Sequence, residues 1–259
     1  MHCKGGLDNI PQFELNEDQG FSSEISEKND CWELFSRYTK AVVAKVSYSI
    51  QYYYKGKRLR GGDWRAASVI MESEFLKSAR MNSTQDNTFW DYPRNDKTTY
   101  IREQLTMNVG EYFYGFGEKL TPFVKNGENV QIWNSDGGTC SNQSYKSIPF
   151  YVSSEGYGIF VNSTDNVSFE VCLDTVSKVS FTVFGETLEY FVIGGGNVAG
   201  VLESYTDLTG KPALPPAFTF GLWLTTSFTT DYSEETVTSF VEFYLPAGKW
   251  TGHYQWRGS

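Results

Sequence analysis

The side chains of this chain that could do chemistry are scattered, and their spacing excludes more than it offers. His2 and His253 have no partner pattern for a nucleophilic triad or a metal site. Cys3, Cys31, Cys140 and Cys172 form no C-x-x-C pair and have no His at ligand spacing, so they argue against zinc and read as free thiols. Gly115 and Gly117 begin a G-x-G, but Leu120 stands where a dinucleotide fingerprint needs its third glycine. Glu118 follows on a strand or turn. Lys55, Lys57, Arg58 and Arg60 sit in a Gly-rich segment and read as a solvated hairpin turn rather than a phosphate-binding patch. Asp136 is followed by Gly137, a pair that makes a hairpin turn without any ligand. A large aromatic such as Trp223 is by type more often core than ligand surface.

Strands must position these residues. With 17 Tyr, 19 Phe and 24 Gly in 259 residues, the composition favours pleated, half-buried surfaces and tight turns. Val46, Tyr48, Ile50 and Tyr52 alternate with polar residues. So do Leu105, Met107 and Val109, then Ile148, Phe150 and Val152, then Val179, Phe181 and Val183. Asp136-Gly137-Gly138, Glu155-Gly156-Tyr157-Gly158 and Gly194-Gly195-Gly196 supply the turns. The expected fold is mainly β, an antiparallel sandwich with one or two short helices. One helix is predicted after Asn197 as cap, with Val198, Val201, Leu202, Tyr205 and Leu208 on one face and Gly210 as its stop. Residues 1–40 are acidic and without sustained periodicity, and read as a disordered leader.

The net charge of −9 excludes general attraction to nucleic acid or anionic lipid, so neither nucleic acid nor membrane is an expected partner. The start carries no apolar h-region and no run is long enough to span a bilayer, which points to a cytoplasmic protein and makes the sequons at Asn82, Asn142, Asn162 and Asn166 coincidental. Beyond the proline-rich K-P-A-L-P-P, 43 residues follow Pro216, whereas a (β/α)₈ barrel takes roughly 200. Phe218 to Thr226 can make a first barrel strand, with Ser233 capping a short helix, but no returning strand follows.

An ordered series of motifs carries a resemblance: Y-G-F-G-E at 114–118, F-V-K-N-G at 123–127, W-N-S-D-G-G-T at 133–139, Y-K-S-I-P-F-Y at 145–151, E-Y-F-V-I at 189–193, T-G-K-P-A-L-P-P at 209–216 and G-L-W-L-T-T-S-F-T-T at 221–230. Together they resemble glycoside hydrolase family 31, the retaining α-glucosidases and α-xylosidases, with W-N-S-D-G-G and L-T-T-S-F-T-T closer to the α-xylosidase branch. Val241 to Thr251 resembles a C-terminal β-domain that lies far downstream in that family. The resemblance implies a divergent leader over 1–40, a galactose-mutarotase-like sandwich over 41–215, the first strand and loop of a truncated barrel over 216–240 and a C-terminal remnant over 241–259.

Retaining hydrolysis needs two carboxyl groups about 5–5.5 Å apart. The family's nucleophile and acid motifs do not occur here; Trp90-Asp91-Tyr92 is the nearest look-alike and lacks the following Glu. No catalytic residue, cofactor or metal is therefore expected. By resemblance, Asp136 accepts hydrogen bonds from sugar hydroxyls, Phe228 fills the space of a hexose hydroxymethyl, and Trp133 and Trp223 stack or pack near the sugar. The expected function is a truncated α-xylosidase-type hydrolase of O-glycosyl bonds, incompetent alone. The alternatives are a carbohydrate-binding module for α-xyloside or α-glucoside sugars and an interaction protein assembling with itself or a full-length homologue.

Overall fold

The computed structural model describes residues 15–17, 20, 22–71, 99–135, 143–221, 233–236 and 238–239. The chain divides into two compact units, Met1–Gly210 and Lys211–Ser259. The first is mainly β, as its alternation predicts. Its strands are β1 (Ser23–Glu27), β2 (Cys31–Ser36), β3 (Thr39–Ala44), β4 (Ile50–Tyr54), β5 (Lys57–Gly62), β6 (Ser68–Met71), β7 (Thr99–Thr106), β8 (Phe113–Gly117), β9 (Glu128–Ile132), β10 (Ser147–Ser153), β11 (Tyr157–Val161), β12 (Val167–Val171), β13 (Lys178–Phe184) and β14 (Tyr190–Gly194), followed by helix α1 (Val198–Thr209). They form three antiparallel sheets, ordered β1-β2-β3-β4-β5, β14-β11-β10-β8 and β6-β7-β13-β12-β9.

The last two sheets face each other. Val167, Phe169 and Val171 of β12 and Val179, Phe181 and Val183 of β13 point one way at period two, into Phe116, Tyr151, Tyr157 and Ile159 of the opposite sheet. Phe169 lies 4.9 Å from Phe116 between ring centroids, and Phe181 lies 5.0 Å from Tyr190. The four-stranded sheet is buried on its other face too. Phe150, Val152, Phe160 and Ile193 pack there under Val201 and Leu208 of α1, and Tyr205 stacks on Phe150 at 3.9 Å. Asn197 caps α1 by accepting from Gly200 N at 2.9 Å, as its sequence predicts.

Several expectations are corrected. Residues 23–36, read as disordered leader, form β1 and β2, a ribbon whose faces are both largely exposed and so lack alternation. The backbone ladder holds it, helped by pairs such as Lys45–Glu27 at 2.7 Å and by Lys45 over the Trp32 ring at 4.7 Å. Val46 and Val109 are fully exposed in turns rather than in strands, so β4 starts at Ile50 and β7 stops at Thr106. The Lys55-Gly56 turn is a hairpin as expected, but Arg60 is buried. In the second unit, Ala217–Phe220 is a 3₁₀ turn where a barrel strand was predicted to start; residues 222–226 of that predicted strand and residues 241–259 lie outside the described residues. Ser233 does cap a helical turn at 234–236, its Oγ accepting from Thr236 N at 3.2 Å.

The three sheets meet at one buried ion pair. Arg60 of β5 donates from Nε to Glu111 Oε2 at 2.8 Å and also bonds it through Nη2, in side chains that are 6% and 0% exposed. Asn108 N donates to the same oxygen at 2.8 Å, and Ser153 Oγ of β10 donates to Oε1. The Asn108 amide, its oxygen turned inward, accepts from both terminal guanidinium nitrogens at 3.1 and 3.2 Å, and the guanidinium lies 5.4 Å from the Tyr157 ring of β11.

A second polar seam joins the β4 sheet to the sandwich. Tyr48 donates to buried Glu103 of β7 at 2.6 Å, and Tyr52 and Tyr190 share a hydrogen bond at 2.7 Å. Burial pushes the Tyr52 hydroxyl up to about 12, partly opposed by its Tyr190 bond, and burial holds Tyr48 and Tyr190 higher still. Burial also raises Glu103, against its Tyr48 bond.

Two outcomes follow for unfolding in urea. Glu111→Ala strands a buried guanidinium and is expected to lose about 3–5 kcal/mol, whereas Arg60→Met with Glu111→Leu loses much less because no unpaired charge remains. The folded tyrosines keep their protons where unfolded ones ionise, so their stabilisation is complete below pH 10 and is lost as pH rises toward about 12. The urea midpoint should fall across that window, and Tyr52→Phe with Tyr190→Phe should flatten the fall.

Candidate functional site

The site built by the motif series lies where the chain crosses from one sandwich sheet to the other. β9 belongs to the five-stranded sheet and β10 to the four-stranded one, so the segment between them, residues 133–146, must bridge the two. Asn134 and Ser144 form a parallel bridge, and Ser135 N donates to Ser144 O at 3.0 Å, so the two legs of this loop run side by side. Ser147 N donates to Asn134 Oδ1 at 2.8 Å, and Ser147 Oγ donates to Trp133 O at 3.3 Å.

β8 ends against the same place. Its pairing with β10 shifts register between Ser147 and Tyr151, leaving Phe116 opposite an unmatched stretch. Gly115, Phe116 and Gly117 all have positive φ, at 118°, 70° and 83°. Phe116 is held in that sparsely populated region by full burial among Tyr151 and Phe169. Glycine is required on both sides: a Cβ at Gly115 would meet Phe150 O at 2.7 Å, and one at Gly117 would meet Lys146 O at 2.3 Å. The Y-G-F-G-E motif is thus a forced bend that delivers Glu118 N to Lys146 O at 2.9 Å and Lys119 to the loop's base.

Lys119 Nζ donates to Gln131 O and to Ser147 Oγ, each at 2.8 Å. Burial lowers its ammonium to about 8, with the charge of Lys125 adding to the effect. In F-V-K-N-G, Lys125 is itself buried with Nζ on Thr121 Oγ1 at 2.9 Å, and Asn126 closes the turn by accepting from Phe113 N and donating to Glu111 O.

Of the residues predicted to meet a sugar, Trp133 is placed on this loop's first leg and is 43% exposed. Asp136, Phe228 and Trp223 lie outside the described residues. The look-alike Asp91 does too. Lys119, Asn134 and Ser147 were not predicted; Asn134 and Ser147 fall inside the quoted motifs, but their contacts cross three separate segments and no local spacing marks them.

Other chemistry is sparse. Among the described residues no cluster of His, Cys, Asp or Glu is arranged to hold a metal ion, and no helix is long and apolar enough to cross a membrane. Cys31 and Cys172 are free thiols; burial raises that of Cys172 to about 11, and Cys3 and Cys140 lie outside the described residues. A groove of about 640 Å³ runs between β8, β10 and α1. It is lined by Tyr114, Phe123, Ile148, Phe150, Leu202 and Tyr205, a surface too apolar to order the hydroxyls of a sugar.

Residues 4–170 match the glycosyl hydrolase 31 N-terminal galactose mutarotase-like domain. The match takes in most of the segment expected to be a divergent leader. An α-xylosidase of Emericella nidulans is 41% identical over 274 aligned residues, covering 99% of this chain and 34% of that protein. The α-xylosidase XylQ of Lactiplantibacillus pentosus is 55% identical over 191 residues, covering 71% of this chain and 25% of that protein. A Flavobacterium johnsoniae GH31 dextranase, solved in complex with glucose, superposes with a TM-score of 0.64 at 26% identity, over 82% of this chain and 24% of its own. The chain therefore spans about a third or less of the length of these relatives.

The bend at β8 can be tested by substitution. Gly117→Ala adds a methyl into Lys146 O at positive φ and is expected to cost at least about 2 kcal/mol. Gly110→Ala, at φ 78° with open space around it, should cost only about 1 kcal/mol. Denaturant midpoints of the two variants measure the difference.

Proposed function

Because the chain belongs to the glycosyl hydrolase 31 N-terminal galactose mutarotase-like domain family, we propose that it is the sandwich of an α-xylosidase-type hydrolase of O-glycosyl bonds and that these 259 residues do not cleave substrate by themselves. The observation that carries the reading is the identity of 41% and 55% to two α-xylosidases, over stretches that take in the whole motif series up to the rim loop. In this reading the sandwich supplies the rim of a sugar site rather than its reacting groups. The loop after β9 presents Asp136 as an acceptor for sugar hydroxyls and Trp133 as a flat apolar face. By the same family resemblance, Phe228 and Trp223 are proposed as further sugar contacts. The carboxylate pair that breaks the bond comes from a barrel, and the partners are an α-xyloside sugar and a barrel-bearing polypeptide of the same family.

The absence of both carboxylate motifs from the sequence supports the inactivity of these residues alone. With only a few sugar contacts available, binding is expected to be no tighter than about millimolar. The purified 259-residue polypeptide should release p-nitrophenol from an α-xyloside no faster than buffer does; turnover that survives repurification would refute the assignment. Calorimetric titration with xylose or isoprimeverose should give a shallow isotherm that Asp136→Ala abolishes. An isotherm unchanged by that substitution would remove Asp136 from the sugar site.

A further inference from the structure

We propose that Lys119 is a positioning residue whose side chain clamps the two legs of the rim loop together. Its functional end rests on the sugar-rim reading above, but the clamp stands on contacts within residues 117–147. Those legs leave different sheets, and among the described residues the bridge at Asn134 and Ser144, with the Ser135 N bond to Ser144 O, is the backbone pairing that sets their spacing. Lys119 spans the gap. One hydrogen bond goes to Gln131 O on β9, before the first leg, and the other to Ser147 Oγ on β10, after the second.

The hydroxyl at Ser147 makes the clamp directional. An ammonium can only donate, so Ser147 Oγ accepts from Lys119 and turns its own proton to Trp133 O. The result is a continuous run from Lys119 through Ser147 to the residue that starts the loop. Ser147 N meanwhile holds Asn134 Oδ1, and Ser144 Oγ lies 3.3 Å from Ser147 Oγ, so one serine gathers both legs. Lys119 is brought there by the forced bend at Gly115 to Gly117, which fixes its backbone by burial of Phe116.

The position is an uncomfortable one for a cation. It is partly buried, and Lys125 adds like charge from the same connection. A neutral side chain would avoid both penalties; the hydrogen bonds to Gln131 O and Ser147 Oγ offset them.

Hydrogen exchange of the full chain, read by mass spectrometry, tests the clamp without any sugar. In Lys119→Met, amides of the legs and of their foot, Ser135 and Ser147 among them, should exchange about tenfold faster while those of β12 and β13 keep their rates. Lys119→Arg, which restores two donors, should recover most of the protection. Ser147→Ala, which removes the Lys119 acceptor together with the bond to Trp133 O, should also raise exchange in these amides and serves if Lys119→Met does not fold. Unchanged leg exchange in Lys119→Met, or an equal rise across β12 and β13, would overturn the proposal. If the legs loosen as expected yet Asp136→Ala leaves xylose titration untouched, the clamp holds and the sugar reading alone falls.

Discussion

A guanidinium and a carboxylate removed from water together must satisfy each other almost completely, and that demand on Arg60 and Glu111 organises this molecule. Glu111 receives donors from β5, from the turn after β7 and from β10, while the guanidinium lies against β11. Those elements belong to three different sheets. Hydrophobic burial alone would let the sheets slide, since apolar contact is non-directional. The fixed geometry of the fork does not. Near this centre the hydroxyls of Tyr151 and Tyr157 are fully buried beside Glu111, and burial, with the Glu111 charge adding, keeps both phenols protonated far above their ordinary range. The apolar core packs around a polar pin, and the rim is built outward from it.

The route from pin to rim is short in sequence. Glu111 precedes β8 by two residues, β8 ends in the strained Gly-Phe-Gly bend, and Lys119 follows at the foot of the loop. Asn126 ties the far side of the same connection back to Phe113 N and Glu111 O. Backbone strain at Phe116 is thereby stabilised by the burial of its ring, a common arrangement where a functional segment must leave a sheet at an unusual angle.

Some of this was legible in the sequence and some was not, for separable reasons. The helix after Asn197 was readable because cap, apolar stripe and stop are all local signals. β13 was readable because Val179, Phe181 and Val183 face the core at period two. β10 was readable as a strand, but its second buried face was not: Phe150 and Val152 face α1 while Tyr151 faces the sandwich, so neither parity marks an outside. β1 and β2 were invisible for the opposite reason, having little buried face at all. Val46 and Val109 show that a valine at the right parity does not extend a strand when the turn claims it. Arg60 looked like one of four surface cations because its partner lies 51 residues away. Of the four residues named from the family motifs only Trp133 is among those described, and the lysine beneath its loop carried no local mark.

Burial of the four-stranded sheet on both faces also decides what the smallest workable piece of this protein is. Leu15 packs into the layer beneath α1, and Asn16 N donates to Leu208 O at 2.8 Å, so the beginning of the described chain is stitched to the last turn of the helix. An expression boundary placed ahead of Gly210, or one that discards the first two dozen residues as surplus, would peel the lid from Phe150 and Phe160 and leave an oily plane facing the solvent. Anyone dissecting this domain should therefore keep Leu15 and Asn16 together with the last turn of the helix.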